Sequence, residues 1–308
     1  NIKLKIQKQF NLAVNITYHH DSEIIENQGL ISSVKGCDYG QLNWFPSIGK
    51  FMKTCGIKTT KNSFRGANNE LLNPKIPNFI VKPFKKILQY GACHNYIMCM
   101  TEKIRWWQFK LQPPIVVKNI RGKLESKHFA IGPSHRMVSS HLTSHQDGFF
   151  QMDWEIAVPA SKAQEALIAI KKHVQENQTC LPLVGVFVRF TPSSDQTLLA
   201  HTHSDGKDWI NGEPAVFFEM PVYIPIGFSK QKYAEYESQY VEFTKMLITK
   251  FTGRPHWGKN KLWALNLAIK RGAYEESFSK FKKVMNQFDP NGTFSSKFSK
   301  KLGFYKKD

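Results

Sequence analysis

Residues 253–259, Gly-Arg-Pro-His-Trp-Gly-Lys, bring an imidazole, an indole and a primary amine close together in the sequence. Pro255 fixes its own backbone and favours an extended residue before it, while the glycines permit angles that other residues avoid. This composition suits neither an amphipathic helix nor an alternating strand, so it predicts a stiff loop. Such a loop either directs His256, Trp257 and Lys259 toward a ligand, or packs Trp257 into a core.

Other segments form a series with this loop. In chain order they are Trp44-Phe45-Pro46, residues 155–159 (Glu-Ile-Ala-Val-Pro), residues 189–191 (Arg-Phe-Thr) and residues 289–294 (Asp-Pro-Asn-Gly-Thr-Phe). The series resembles the sugar-1,4-lactone oxidases, the aldonolactone branch of the vanillyl-alcohol-oxidase-type flavoproteins, and the gulonolactone oxidases most of all. The resemblance covers nearly the whole chain. It implies an FAD-dependent oxidoreductase that transfers hydride from a sugar lactone, polyol or related alcohol to flavin N5, with O2 as the acceptor.

The resemblance also implies roles for single residues, and it implies no metal. The catalytic residues would be Lys259, Arg189 and His256; the FAD contacts His256, Trp257, Gly258, Lys259 and Asn291; and the substrate contacts Arg189, Phe187 and Glu155. In the family, the flavin carries the hydride chemistry, and the protein orients the substrate and stabilises developing charge.

One position departs from the family's pattern. The lactone oxidases grip the substrate with a Glu-x-Arg pair on a strand; Arg189 matches the arginine, but Phe187 occupies the glutamate position. The two side chains share one face of a strand, so an aromatic ring stands where a carboxylate is expected. Glu155, Asp153 or Glu219 could supply the missing partner from a neighbouring strand. Substrate identity stays open, because a site built for hydrogen bonding discriminates steeply when one acceptor is lost.

The resemblance divides the chain into three parts. Residues 1–20 resemble the end of the FAD-binding region, residues 21–250 the substrate-binding (cap) domain, and residues 251–308 a C-terminal segment that packs toward the FAD-binding half. We expect that half upstream of Asn1, as a separate chain or a removed domain, because no Gly-x-Gly-x-x-Gly phosphate loop is present. An exposed Trp257 would then mark the face that this partner covers.

The elements that must position these residues indicate an α+β fold. Residues 149–158 alternate as a strand, and Ser161 with Gln164 predicts a capping box at the start of the next helix. Further strands are predicted over residues 1–7, 12–18, 38–45, 183–191 and 215–224, and further helices over residues 21–34, 78–110, 231–251, 262–269 and 275–288. This order favours a mainly antiparallel sheet flanked by helices on one face, with a C-terminal helical segment returning to the flavin-binding half.

Histidines give no clear metal pattern. Residues 113–146 are poor in periodic structure, and ligands would need a helical or strand frame. We therefore favour scattered surface residues for His128, His135, His141, His145, His201 and His203.

Composition leaves a second function class open. The 308 residues are 41% hydrophobic, as in globular proteins, and their net charge of +19 suits an anionic surface but comes with no nucleic-acid-binding pattern. The alternative is thus a non-catalytic binding protein on a degenerate flavoprotein scaffold with an anionic partner. Five cysteines leave at least one unpaired, and sequons at Asn15, Asn177 and Asn291 are compatible with a secreted or luminal glycoprotein.

Overall fold

A computed structural model describes residues 8–27, 29–64, 95–110, 115–118, 124–137, 149–177, 185–203, 209 and 212–305. The strand predicted over residues 1–7, the first part of the predicted helix 78–110, and His141 and His145 lie outside these residues.

One antiparallel sheet organises the fold. Its nine strands, within the described ranges, lie in the order β4-β5-β1-β3-β2-β7-β8-β6-β9. In chain order they are β1 (Asn11–His20), β2 (Tyr39–Phe45), β3 (Lys50–Thr59), β4 (Ile115–Lys118), β5 (Leu124–Pro133), β6 (Phe149–Pro159), β7 (Val186–Thr191), β8 (Ala215–Pro225) and β9 (Arg254–Pro255). The predicted α+β class with a mainly antiparallel sheet is confirmed.

The helices follow the predicted pattern for most of the described chain. They are α1 (Ser22–Ile25), α2 (Asn95–Lys110), α3 (Ser134–Met137), α4 (Ala160–Glu176), α5 (Lys230–Lys250), α6 (Leu262–Lys270), α7 (Glu275–Phe288) and α8 (Lys297–Lys301), with a 3-10 turn at Ser32–Val34. None of those described is long and apolar enough to cross a membrane.

The main core lies between α4, α5 and one face of the sheet. Trp154, Ile156 and Val158 alternate along β6 and are fully buried against these helices. On α4, the apolar stripe that includes Leu167 and Ile170 is buried in the same cluster. Because side chains alternate along a strand, the residues between those of β6 point to the opposite face.

Among the described residues, α2 covers one end of that opposite face, together with Met137 of α3. Trp106 and Phe109 of α2 pack on Val14 and Ile16 of β1. Strand pairing continues the row of Ile16 through β3 and β2 to Arg189 of β7. The sheet face that α2 covers at one end therefore carries Arg189 on β7, and the neighbouring row on the same face carries Glu219 on β8 and Glu155 on β6.

Two local predictions are wrong. Ser161 and Gln164 form no capping box: the Ser161 N–H donates to the Glu213 carboxylate, and the Gln164 amide bonds the backbones of Leu30 (3.2 Å) and Ile24 (3.3 Å). Glu213 thus accepts the hydrogen bond expected of Gln164, and Gln164 is bonded to a distant part of the chain instead. The stretch 113–146 is also more regular than predicted, since β4, β5 and α3 lie in it. Backbone pairing of β5 to β1 and β4, rather than side-chain alternation, defines that strand.

Glu102 of α2 is a carboxyl group inside the core. Its side chain is fully buried, and the Ser47 hydroxyl donates to one of its oxygens. Burial raises the pKa of Glu102 to about 8, against the smaller opposing effects of Ser47 and Lys171. The folded chain therefore keeps a proton here at neutral pH.

This buried acid makes stability depend on pH. Between about pH 5 and pH 8 the folded chain holds a proton that the unfolded chain has released, so stability falls as pH rises. We expect Glu102→Gln to flatten this dependence and to raise the free energy of unfolding at pH 7 by about 3 kcal/mol. Urea unfolding at pH 5 and pH 8 measures it, with the exposed Glu165→Gln as the control. An unchanged pH dependence in Glu102→Gln would contradict the assignment.

A disulfide joins Cys37 to Cys55, with Cα atoms 5.3 Å apart and a sequence separation of 18. The bond ties the chain just before β2 to β3, at the end of the sheet that carries Tyr39. A loop of this length contributes about 3 kcal/mol by restricting the unfolded chain. We expect the double variant Cys37→Ser/Cys55→Ser to lose about that much in urea unfolding. Reduction of the wild type should match it, and an unchanged unfolding midpoint would refute the prediction.

Candidate active site

The 253–259 loop is built into the edge of the sheet. Arg254 of β9 pairs with Ala157 of β6, and the His256 N–H donates to the Glu155 carbonyl at 3.0 Å. The Asn260 amide closes the loop by donating to the carbonyls of Glu155 (2.5 Å) and His256 (3.2 Å). The predicted stiff loop is therefore an extra short strand followed by a bonded turn.

The entry to this loop needs a glycine. A Cβ on Gly253 would lie 2.5 Å from the Ile156 side chain and 2.7 Å from the Leu247 carbonyl oxygen. Thr252, just before it, has a φ of 53°, which residues other than glycine rarely adopt. Close packing between α5 and β6 thus sets the direction in which the loop leaves the helix.

Four charged side chains meet on the face of the sheet away from α4 and α5. We call this set, Glu155 of β6, Glu219 of β8, Arg189 of β7 and Lys259 of the loop, the four-charge cluster. Arg189 binds Glu155 at 2.8 Å and Lys259 binds it at 2.6 Å, and both cations also bind Glu219. The carboxylates are buried, whereas the side chains of Arg189 and Lys259 stay 37% and 26% exposed. The four formal charges sum to zero, and the part of the cluster that remains exposed to solvent belongs to Arg189 and Lys259.

Strand register explains why two carboxylates stand side by side. Glu155 pairs directly with Glu219, and Glu219 pairs with Phe187, so the three side chains form one row. Like charges opposite one another destabilise a sheet unless cations lie between them. The sequence offered Glu155, Asp153 and Glu219 as partners for Arg189, and two of them, Glu155 and Glu219, bind it. They take the place of the glutamate expected at position 187 of β7, where this chain has phenylalanine.

The two carboxylates differ in their proton affinity. Burial by itself would raise the pKa of Glu155, but hydrogen bonds from His201 and Lys259 and the charges of Lys259 and Arg189 outweigh it and hold the pKa at about 2. Burial dominates at Glu219 and raises its pKa, although Arg189 and Lys259 oppose it. Burial also lowers the pKa of Lys259, yet its bonds to both carboxylates reverse the direction, so its amine stays charged.

A histidine that the sequence left on the surface joins the cluster. The His201 Nε2 atom lies 3.6 Å from Oε1 of Glu155, the oxygen turned away from the two cations. Its ring centroid lies 4.9 Å from that of His256 and 4.8 Å from that of Phe217. No spacing rule links residue 201 to residues 155 and 256, because the fold alone brings them together.

These groups have the spacing of a metal site. One ligand atom each from Glu155, His201 and His256 lies within 4.8 Å of the other two. Two observations disfavour a cation: Glu155 already faces Lys259 and Arg189, and the Gly258 N–H donates to Nδ1 of His256 at 3.1 Å. Burial lowers the pKa of His256, so its ring is neutral and carries its proton on Nε2. The arrangement suits proton and hydrogen-bond chemistry better than ligation.

Two side chains of the 253–259 loop hold the chain on both sides of His201. The Arg254 guanidinium donates to the carbonyl of His203, and the Trp257 indole N–H donates to the carbonyl of Leu199 at 2.7 Å. We call this pair of contacts the carbonyl clamp. It fixes His201 against the same loop that carries His256.

Trp257 packs into a core, which is one of the two roles that the sequence left open for it. Its ring is half-buried and lies 5.2 Å from Tyr274 and 5.9 Å from Phe304, in the cluster around Leu265. The expectation of an exposed apolar patch at Trp257 is therefore wrong, because α6 and the C-terminal residues cover it. Its contact with FAD stays a prediction.

A polar ladder borders the four-charge cluster on β2. The Tyr39 hydroxyl donates to Gln41, and the Gln41 amide donates to Asn43, each at 2.7 Å. Gln41 pairs with Arg189 and Asn43 pairs with Phe187. The sequence did not reveal this ladder, because Gln41 and Asn43 are ordinary polar strand residues until β2 is placed beside β7.

Most of the predicted site residues converge. Lys259, Arg189, His256 and Glu155 lie together, Phe187 stands in their row, and Gly258 bonds His256. Asn291 is exposed on the turn that the Asp289 carboxylate closes by accepting from the N–H groups of Thr293 (2.7 Å) and Phe294 (3.0 Å). Its role toward FAD stays a prediction.

Comparisons with known proteins agree with this arrangement. The family model described as D-arabinono-1,4-lactone oxidase matches residues 2–302. Probable L-gulonolactone oxidase 1 of Arabidopsis thaliana is 28% identical over 98% of this chain and 51% of its own length. Probable truncated L-gulonolactone oxidase 7, mitochondrial, of the same plant is 27% identical over 61% of this chain and 76% of its own.

The fold is also found among solved structures. Cholesterol oxidase from B. sterolicum superposes with a TM-score of 0.64 at 12% identity, over 96% of this chain and 60% of that one. The present chain therefore spans about half the length of the first Arabidopsis protein and three-fifths of the cholesterol oxidase.

Proposed function

The chain belongs to the D-arabinono-1,4-lactone oxidase family, and on that premise we propose that it is the substrate-binding half of an FAD-dependent oxidoreductase. The substrate is a sugar lactone, a polyol or a related alcohol, and O2 is the electron acceptor. The observation that carries the proposal is the four-charge cluster, which the motif loop completes on the open face of the sheet.

The residues of the cluster fit a flavin edge. Reduction of a flavin places negative charge on its pyrimidine side, and fixed cations in a site with little water offset such charge. Lys259 and Arg189 are held by Glu155 and Glu219 yet keep part of their side chains exposed. FAD, when bound, supplies the hydride acceptor. This chain contributes the cations, the neutral His256 and the orientation of the substrate.

The substrate side of the site combines hydroxyl recognition with one apolar surface. The amides of Gln41 and Asn43 and the exposed parts of Arg189 and Lys259 can bond hydroxyl groups. Phe187 offers a ring between Asn43 and Glu219 instead of an acceptor. A neutral, hydroxylated ring with one apolar edge matches this surface, and a polyol that needs an acceptor at every carbon does not.

Most of the dinucleotide would be bound by a part of the protein outside this sequence. The chain spans half of its relative and carries no glycine-rich phosphate loop. We propose an FAD-binding N-terminal chain or domain as its partner. A luminal or secreted location is supported by the Cys37–Cys55 disulfide and by the exposed sequon at Asn177, whereas Asn15 lies within β1 with its Oδ1 buried.

The test is flavin reduction by the full-length protein. The purified protein should show visible flavin absorbance that bleaches on anaerobic mixing with a sugar-1,4-lactone and returns when O2 is admitted. The 308-residue chain alone should lose FAD on gel filtration. Stoichiometric FAD on the isolated chain would contradict the division of roles, and a full-length flavoprotein that no lactone, polyol or alcohol reduces would contradict the activity.

The alternative function, a non-catalytic binding protein on a flavoprotein scaffold, is also compatible with the site. Both cations are already paired and Phe187 replaces the family's acid, so a scaffold that lost catalysis would look similar. The net charge of +19 would then serve an anionic partner. This reading predicts salt-sensitive binding to an anionic polysaccharide by a protein whose bound flavin no substrate reduces.

A further inference from the structure

His201 is held in place as firmly as the residues of the motif. The carbonyl clamp of Arg254 and Trp257 anchors the chain two residues before and two residues after it. Arg254 is itself 1% exposed and lies against the rings of Trp209 (4.4 Å) and Tyr274 (5.0 Å). These contacts fix the backbone on both sides of His201.

Its neighbours fix which ring nitrogen of His201 is free. Glu155 is ionised and only accepts hydrogen bonds, so the nitrogen that faces it, Nε2, must carry a proton. Neutral His201 therefore has its lone pair on Nδ1. No hydrogen-bond partner of Nδ1 lies among the described residues, and the side chain stays 19% exposed.

A carboxylate and two aromatic rings surround the side chain of His201. Glu155 of β6 faces it directly, Phe217 of β8 packs on its ring, and neutral His256 lies on its other side. Lys259 and Arg189, the two cations of the four-charge cluster, are bound to Glu155 and Glu219. A carboxylate that orients an imidazole and stabilises its charged form is the arrangement used in general-base catalysis.

We propose that His201 is the general base of the reaction, with Glu155 as its orienting partner and Arg254 and Trp257 as positioning residues. This rests on the proposed function. The substrate O–H bond breaks and its proton passes to Nδ1 of His201. The C–H bond on the same carbon breaks with its electron pair, which leaves as hydride to a flavin, and a C=O bond forms. The substrate is oxidised by two electrons and the flavin is reduced by two.

The first test is His201→Gln in the full-length flavoprotein. The glutamine amide can keep a bond to Glu155 but has no basic nitrogen. We expect flavin reduction by a sugar lactone to slow on the order of a hundredfold to ten-thousandfold, with FAD content unchanged. Added imidazole should restore reduction to His201→Ala. The exposed His135→Gln is the control.

A second readout needs no turnover. The ring nitrogen chemical shifts of His201 in the full-length protein should show the neutral ring protonated at Nε2, and Glu155→Gln should allow both tautomers, because the carboxylate no longer selects Nε2. If His201→Gln reduces its flavin at the wild-type rate while Lys259→Met is slowed, His201 is not the general base, but the proposed function still holds. If no substrate reduces the wild type, the proposed function fails, and a His201 tautomer that Glu155→Gln leaves unchanged then overturns the His201–Glu155 pair as well.

Discussion

Lys259→Met is expected to slow flavin reduction by a hundredfold or more while the loop keeps its structure. The Lys259 amine is the cation that the motif loop contributes, and its bonds to Glu155 and Glu219 aim it at the open face. Loss of one fixed group that stabilises transition-state charge costs on the order of a hundredfold or more in turnover. Methionine retains the length and apolar stem of the side chain, so packing should survive.

Rapid mixing of the full-length flavoprotein with substrate under anaerobic conditions measures this rate directly. Lys261→Met is a matched control, because Lys261 lies two residues further on but binds Glu237 and Tyr233 instead of the cluster. Equal reduction rates in Lys259→Met and the wild type, with FAD bound in both, would leave Lys259 a structural residue.

Glu155→Gln is expected to lower both stability and activity. Its folded pKa of about 2 lies below the unfolded value near 4.5, so its stabilisation is present above about pH 4.5 and is lost as pH falls through about 2. The shift corresponds to about 3 kcal/mol at pH 7. The variant also leaves Glu219 alone between two cations and frees His201, so reduction should fall by about a hundredfold or more.

Urea unfolding at pH 7 and pH 3 separates this effect from a general loss of packing. The difference between wild type and variant should shrink by about half at pH 3, since part of the wild-type stabilisation has then gone. Glu242→Gln, which removes an exposed ion pair with Lys245, should change stability by less than about 1 kcal/mol. A difference that is independent of pH would show that Glu155 acts through packing alone.

Elements with a strong period could be predicted from the sequence. The alternation in β6 and the apolar stripes of α5 to α7 follow from burial of one face, which leaves a mark on every second or every third to fourth residue. β3 and β5 lack a clean alternation of apolar and polar residues, so only their backbone pairing to β1, β2 and β4 identifies them as strands. The capping box failed for a related reason: Gln164 found partners far away in the chain.

The site was predictable only as far as its motifs extend. The loop supplied Lys259 and His256, and strand periodicity placed Arg189 beside Phe187. That Glu155 and Glu219 both reach Arg189 depends on the order β7-β8-β6, which no local pattern encodes. His201 lay further out of reach, because its place is set by hydrogen bonds to backbone carbonyls, and every residue has one of those.

The carbonyl clamp has a consequence for how such a site can evolve. Arg254 and Trp257 bond the main chain at His203 and Leu199, so mutations in that loop leave both contacts intact as long as the loop keeps its length. A substitution at position 201 therefore leaves the backbone of the loop in place, whereas an insertion or deletion would move the two carbonyls out of reach of Arg254 and Trp257. Related proteins should vary in the residue that this loop presents, and thus in their chemistry, while they retain its length together with the arginine and tryptophan that hold it.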